Sequence, residues 1–122
     1  RPSKQLPGKW ELYEYYTEPG ENLIHKKEAQ IKKEKLFAHF EFLEDEKFLY
    51  NSNLPSEIIK LEGAYSWSIS KNFITLIHEK DFRDNKELQF AIVKDTLKLL
   101  KKDSLGKIEF FGFFRKAGTK IK

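Results

Sequence analysis

Residues 59–80 read Ile59-Lys60-Leu61-Glu62-Gly63-Ala64-Tyr65-Ser66-Trp67-Ser68-Ile69-Ser70-Lys71-Asn72-Phe73-Ile74-Thr75-Leu76-Ile77-His78-Glu79-Lys80. Tyr65, Trp67 and Ile69 alternate with Ala64, Ser66 and Ser68, the period of two that turns apolar side chains to one face of a strand. Lys71-Asn72 is a turn, and Phe73 to Lys80 answers as the returning strand of a hairpin.

The same pattern extends outward in both directions. Upstream, Leu36 to Phe42 and Lys47 to Ser52 form a second hairpin around the acidic turn Leu43-Glu44-Asp45-Glu46, and Asn53-Leu54-Pro55-Ser56 breaks the pattern before the strand from Ile59 to Ser70. Downstream, the polar run Asp81 to Lys86 is a turn. Glu87 to Val93 and Thr96 to Lys101 are strands joined at Lys94-Asp95, and a last strand runs from Lys107 to Lys116. The first strand enters at Gly8, runs from Lys9 to Thr17, and stops at Glu18-Pro19-Gly20-Glu21-Asn22. Residues 23–35 read as a loop with a short helix, since Leu23, Lys27 and Ile31 share a helical face while Ile24 and His25 suit extended chain. Residues 1–7, polar and with two prolines, suit a lead-in tail, and residues 117–122 a loose C-terminal one.

The reading contains eight strands with short connections and no long helix to carry a parallel crossover, so consecutive antiparallel pairing is the simplest topology. Closing such a sheet hides its two edges, which gives an all-β, eight-stranded, up-and-down β-barrel over residues 8–116; a sandwich satisfies the same pattern. The expected inward face includes Trp10, Leu12, Phe40, Phe42, Phe48, Tyr50, Tyr65, Trp67, Ile69, Ile74, Leu76, Phe90, Ile92, Leu97, Leu99 and Phe110. So many rings leave room only for a shallow, aromatic-walled cavity at the end opposite Trp10.

Composition narrows the chemistry. A chain of 122 residues, 39% hydrophobic and 15% aromatic, builds one core rather than two. The formal charge of +4 is carried mostly by scattered Lys, without the basic face or Arg-rich arm of a nucleic-acid binder. Cysteine is absent, which removes disulfides, thiolate metal sites and a cysteine nucleophile. His25, His39 and His78 lack metal-ligand spacing, and no phosphate loop or nucleophile elbow is present, so neither metal nor cofactor is expected. Phe111-Gly112-Phe113-Phe114 resembles the aromatic motif of RNA-recognition domains, but that fold needs two helices this sequence does not supply. The chain opens Arg1-Pro2-Ser3 without an initiator Met, as a mature fragment does after an export segment is removed. An extracytoplasmic place, in the periplasm or cell envelope, anchored as a lipoprotein or freely secreted, is the expectation.

In a closed barrel the first and last strands are neighbours, which brings Trp10 and Arg115 to the same end. A guanidinium over the indole is worth about 0.5–2 kcal/mol, and Gly8 lets the chain turn tightly into its strand. Gly8-Lys9-Trp10 on the first strand with Arg115 on the last resembles the lipocalin pattern. The hairpin Gly63 to Leu76 resembles the middle hairpin of small lipocalin-like domains of bacterial secreted proteins and lipoproteins, and the likeness spans residues 8–116. The resemblance implies a calycin-type barrel that is not an enzyme and that holds a small apolar or amphipathic molecule, with Gly8, Trp10 and Arg115 closing its floor.

Polar groups on the inner face would orient such a ligand. Tyr50, Tyr65, His78 and Glu14 carry them: His78 shares the face of Ile74 and Leu76, and Glu14 follows Trp10 and Leu12 at period two. Trp67 joins them as a wall residue. The last strand is apolar on both faces, so Phe111 and Phe113 point outward, either beneath the loop at residues 18–35 or toward a protein partner or second copy. The second functional reading is therefore a filled barrel acting as a protein-interaction or structural module of the cell envelope.

Overall fold

The computed structural model describes residues 2–117. Its elements are α1 (Pro2–Gln5), β1 (Gly8–Thr17), β2 (Ile24–Lys26), α2 (Glu28–Lys33), β3 (Ala38–Phe42), β4 (Lys47–Ser52), β5 (Tyr65–Ser70), β6 (Phe73–His78), β7 (Lys86–Val93), β8 (Thr96–Lys102) and β9 (Ile108–Lys116), with a 3-10 turn at Phe82–Asp84. The strands pair antiparallel in the order β1-β3-β4-β5-β6-β7-β8-β9, and β9 returns to β1 to close an up-and-down barrel of eight strands. The ninth strand, β2, lies outside the closed set and pairs only with the end of β1, Tyr16 opposite His25. It falls in the stretch expected to be loop, while α2 is a short helix where that stretch allowed one.

The hairpins form where alternation and turn residues agree: Ser70 pairs Phe73 around Lys71-Asn72, and Val93 pairs Thr96 around Lys94-Asp95. Lys71 and Lys94 take the left-handed φ of 56° and 58° that such two-residue loops demand. β5 starts at Tyr65 rather than Ile59, because residues 53–64 turn at Pro55 and bury Leu54 and Ile59 as loop residues.

The inside is packed with rings. Phe40 lies 5.0 Å from Phe114 and 5.3 Å from Phe48, Phe42 lies 5.1 Å from Phe48, and Trp67 meets Phe42 edge-on at 5.6 Å. Leu76, Leu88, Leu97 and Leu99 are fully buried beside them. Burying one such side chain contributes about 1.5–3 kcal/mol, so this interior dominates the favourable side of folding.

A bulge at Tyr13 decides which residues of β1 face in. Leu12 pairs Phe114 and Glu14 pairs Phe113, so one residue of β1 is unmatched and alternation restarts out of phase. Trp10, Leu12, Tyr15 and Thr17 are buried, and Glu14, expected inside, stands on the outer face. On β9, Phe110, Gly112 and Phe114 face in. Gly112 is required by space: a Cβ there would collide with the Phe110 ring and stand 3.0 Å from Phe114.

The floor differs from expectation in two respects. Trp10 pairs with Lys116, and Arg115 pairs with Glu11, so Arg115 points outward and never meets the indole. The Lys116 ammonium lies over it instead, 4.6 Å from the ring centroid. A one-residue difference in register moves a side chain to the opposite face of a sheet. Second, the lead-in is part of the core: α1 places Leu6 at 0% exposure beneath the barrel, and Trp10 Nε1 donates to the Leu6 carbonyl at 2.8 Å. Gly8 has φ 132°, and the Lys116 side chain fills the space a Cβ would need. Of the expected C-terminal tail only Ala117 is among the described residues, its N–H donating to the Lys9 carbonyl.

Candidate functional site

Three of the residues expected to line a ligand pocket do come together, around two residues of backbone. The Tyr50 hydroxyl donates to the Gly63 carbonyl at 2.7 Å, the Tyr65 hydroxyl accepts from the Glu62 N–H at 3.2 Å, and His78 Nε2 lies 2.9 Å from the Glu62 carbonyl. His78 Nδ1 accepts from the N–H groups of Lys80 and Asp81 at 3.1 and 3.0 Å, which leaves Nε2 to donate. Both imidazole nitrogens and both hydroxyls are therefore committed. The three side chains fasten the 53–64 connection across the barrel wall, where β4 and β5 share only two residue pairs. Gly63, at φ 82°, packs its Cα against the His78 ring with no room for a side chain.

Trp67 stands apart. Its Nε1 donates to the Leu43 carbonyl at 2.9 Å, next to Phe42, which pairs Gly8 at the floor. Glu14 is also elsewhere, with Oε2 2.5 Å from His25 Nε2 on the outer face. The five expected ligand contacts thus occupy three separate places.

The largest concavity toward the end opposite Trp10 is a cleft of about 660 Å³, where the β1–β2 turn, α2, the 53–64 connection and the β8–β9 turn converge. Its position agrees with the expected cavity; its wall does not. Aromatic rings fill the barrel interior, and the cleft above them is walled by Ile24, Leu36, Pro55, Ile58, Leu105 and Ile108. The one ring at its base is Tyr15. Tyr15 is 2% exposed, and its hydroxyl makes no hydrogen bond among the described residues although no fully enclosed side-chain polar atom lacks a partner. The hydroxyl therefore opens into the cleft. Burial raises its pKa above the ordinary range, and the charge of Glu34 adds to the rise.

Charged groups line the cleft. Five carboxylates, Glu18, Glu34, Glu57, Asp103 and Glu109, face two ammonium groups, Lys26 and Lys107. Lys26 Nζ is held by Glu34 at 2.9 and 3.0 Å, and Glu109 by Lys101 at 2.7 Å from outside the cleft. Lys107 Nζ donates to the Gly20 carbonyl. Glu18 accepts from the Ile108 N–H at 2.9 Å, and Asp103 from the N–H groups of Leu105 and Lys107 at 2.8 and 2.9 Å, so both are oriented by backbone and neither has an ion pair among the described residues. Glu57 makes neither a hydrogen bond nor an ion pair among the described residues.

Sequence reasoning missed Tyr15 because period two, counted from Trp10, lands on Glu14. The signal that marks the slip is Glu14 itself, a carboxylate where an apolar side chain was needed, followed by Tyr15-Tyr16.

Phe111 and Phe113 do face outward, half-buried, in a stripe shared with Tyr13 and Tyr16. The chain dresses part of it. His25 of β2 stacks on Tyr16 at 4.1 Å, Lys98 lies 5.8 Å over Phe113, and Arg115 lies 4.2 Å over Tyr13 while bonding Glu28 of α2 at 3.0 and 3.2 Å. Among the described residues no three acidic or histidine side chains gather in a way that could hold a metal ion. Comparison with protein-family models, with curated proteins and with solved structures finds no match to this chain.

Proposed function

We propose that this chain is a lipocalin-like, non-enzymatic binding domain that takes a small apolar or amphipathic molecule at the barrel end opposite Trp10. The observation that carries the reading is the cleft: about 660 Å³, within the ordinary range of ligand pockets, aliphatic in its walls, with one unpartnered hydroxyl at its base. Leu105, 84% exposed at its rim, is the kind of side chain a bound molecule would cover. The closed eight-stranded barrel and the Gly8–Trp10 floor support the lipocalin-like assignment.

The test is titration of the domain with an environment-sensitive apolar dye and displacement by amphiphiles. Saturable one-to-one binding that Ile58→Asp abolishes, with the circular dichroism spectrum of the folded barrel retained, is the expected result. Binding that is unsaturable, or indifferent to Ile58→Asp, would overturn the reading.

The outer stripe favours a second reading, a protein-interaction module. It expects concentration-dependent self-association or partner capture that Phe111→Asp abolishes; a monomer at every concentration that also ignores candidate envelope proteins would remove it.

A further inference from the structure

The cleft differs in charge from the rest of the molecule. The chain as a whole carries +4, whereas the cleft lining holds five carboxylates against two ammonium groups. Both ammonium groups are already engaged, Lys26 by Glu34 and Lys107 by the Gly20 carbonyl. Lys26 is neutralised by that pairing and Lys107 keeps its charge, so carboxylates still outnumber ammonium groups in the lining. On the acidic side, Glu18 and Asp103 are aimed by backbone N–H groups and have no cation partner, and Glu57 has no partner at all among the described residues. The remaining independent feature is the Tyr15 hydroxyl, almost wholly buried and open to the cleft, whose oxygen can accept from an N–H donor.

We infer that the cleft selects a cationic amphiphile: an aliphatic body against Leu36, Ile58 and Ile108, and a protonated amine near Tyr15 and the unpaired carboxylates. This rests on the cleft being a ligand site and adds the sign of the ligand. A fatty acid is disfavoured on the same geometry, because its carboxylate would meet a lining in which five carboxylates stand against two ammonium groups. Two or three acids at a partly solvated site, attracting an ammonium and repelling a carboxylate, together separate the two ligand classes by about tenfold.

The probes are dodecylamine, dodecanoate and dodecanol, titrated calorimetrically into the whole chain at neutral pH below their micellar concentrations. Dodecylamine is expected to bind one-to-one and about tenfold tighter than dodecanoate, with dodecanol between them. Added salt should weaken dodecylamine and leave dodecanol unchanged. Tyr15→Phe and, separately, the surface variant Glu57→Gln should each weaken dodecylamine several-fold without altering dodecanol; Glu57→Gln keeps the test valid even where Tyr15→Phe disturbs packing. Dodecanoate equal to or tighter than dodecylamine would overturn the charge assignment while leaving a ligand cleft in place. Saturable binding of none of the three would overturn both.

Discussion

The Lys116 ammonium lies 4.6 Å over the Trp10 ring and donates to the Pro7 carbonyl at 2.9 Å, tying the last strand to the chain that enters the first. The indole N–H is taken by Leu6, so Trp10, Leu6 and Lys116 form one floor.

Because Leu6 is fully buried, its replacement should register as a core change. Leu6→Ala is expected to cost about 2–5 kcal/mol and Trp10→Ala about 3–5 kcal/mol, measured by denaturant unfolding. A Leu6→Ala midpoint indistinguishable from wild type would show that the lead-in contributes nothing to the floor.

Gly112 gives the Phe110 ring its place inside the barrel opposite Tyr15. Gly112→Ala adds a single methyl to a full interior and should destabilise by about 1–3 kcal/mol, through displacement of rings rather than loss of contacts. A thermal melt at or above the wild-type value would contradict the packing described.

Tyr50 holds the 53–64 connection through its hydroxyl alone, so Tyr50→Phe removes one hydrogen bond and little else. The expected cost is about 0.5–1.5 kcal/mol, with faster amide exchange confined to residues 60–64. Ligand binding at the cleft should stay as in wild type. A binding defect with normal exchange would return Tyr50 to the role of ligand contact.

Acid should loosen α2. The Arg115 hydrogen bonds hold the Glu28 carboxyl below the usual range, and Lys26 does the same for Glu34. A carboxylate with a folded value lower than its unfolded one contributes stability above the ordinary carboxylate range, near about pH 4.3, and loses it as pH falls through the lowered value. Exchange protection of the Ile31 and Glu34 amides is therefore expected to hold at neutral pH and fall away in that acidic window. Protection unchanged down to strongly acidic pH would mean that packing of Ile31 alone holds the helix.

Most of the barrel is legible in the chain. The alternation in Tyr65 to Leu76 and in Phe90 to Leu99, with turns at Lys71-Asn72 and Lys94-Asp95, gives strands whose expected inward residues are buried, except Ile69 and Ile92, which are partly buried against the core. The failures occur where one strand's register depends on another's. The Tyr13 bulge belongs to the β1–β9 pairing, and its one local sign within residues 8–17 is the carboxylate of Glu14 followed by Tyr15-Tyr16; with the bulge goes the expected place of Glu14. Tyr50, Tyr65 and His78 are legible in the sequence as polar groups of the inner face, but what they meet is the backbone at Glu62-Gly63, carried there by a connection whose path no periodicity describes.

By itself the sequence determined that this chain is an antiparallel all-β sheet of consecutive hairpins, because side-chain alternation and turn chemistry act between residues a few positions apart, whereas closure into a barrel rests on the long-range pairing of β1 with β9. Only the tertiary structure decided that Lys116 rather than Arg115 covers Trp10, and that Tyr15 opens into a cleft with Glu57 and Asp103 at its edge. Those juxtapositions join residues tens of positions apart, and a shift of one residue in strand register reverses which of them face each other.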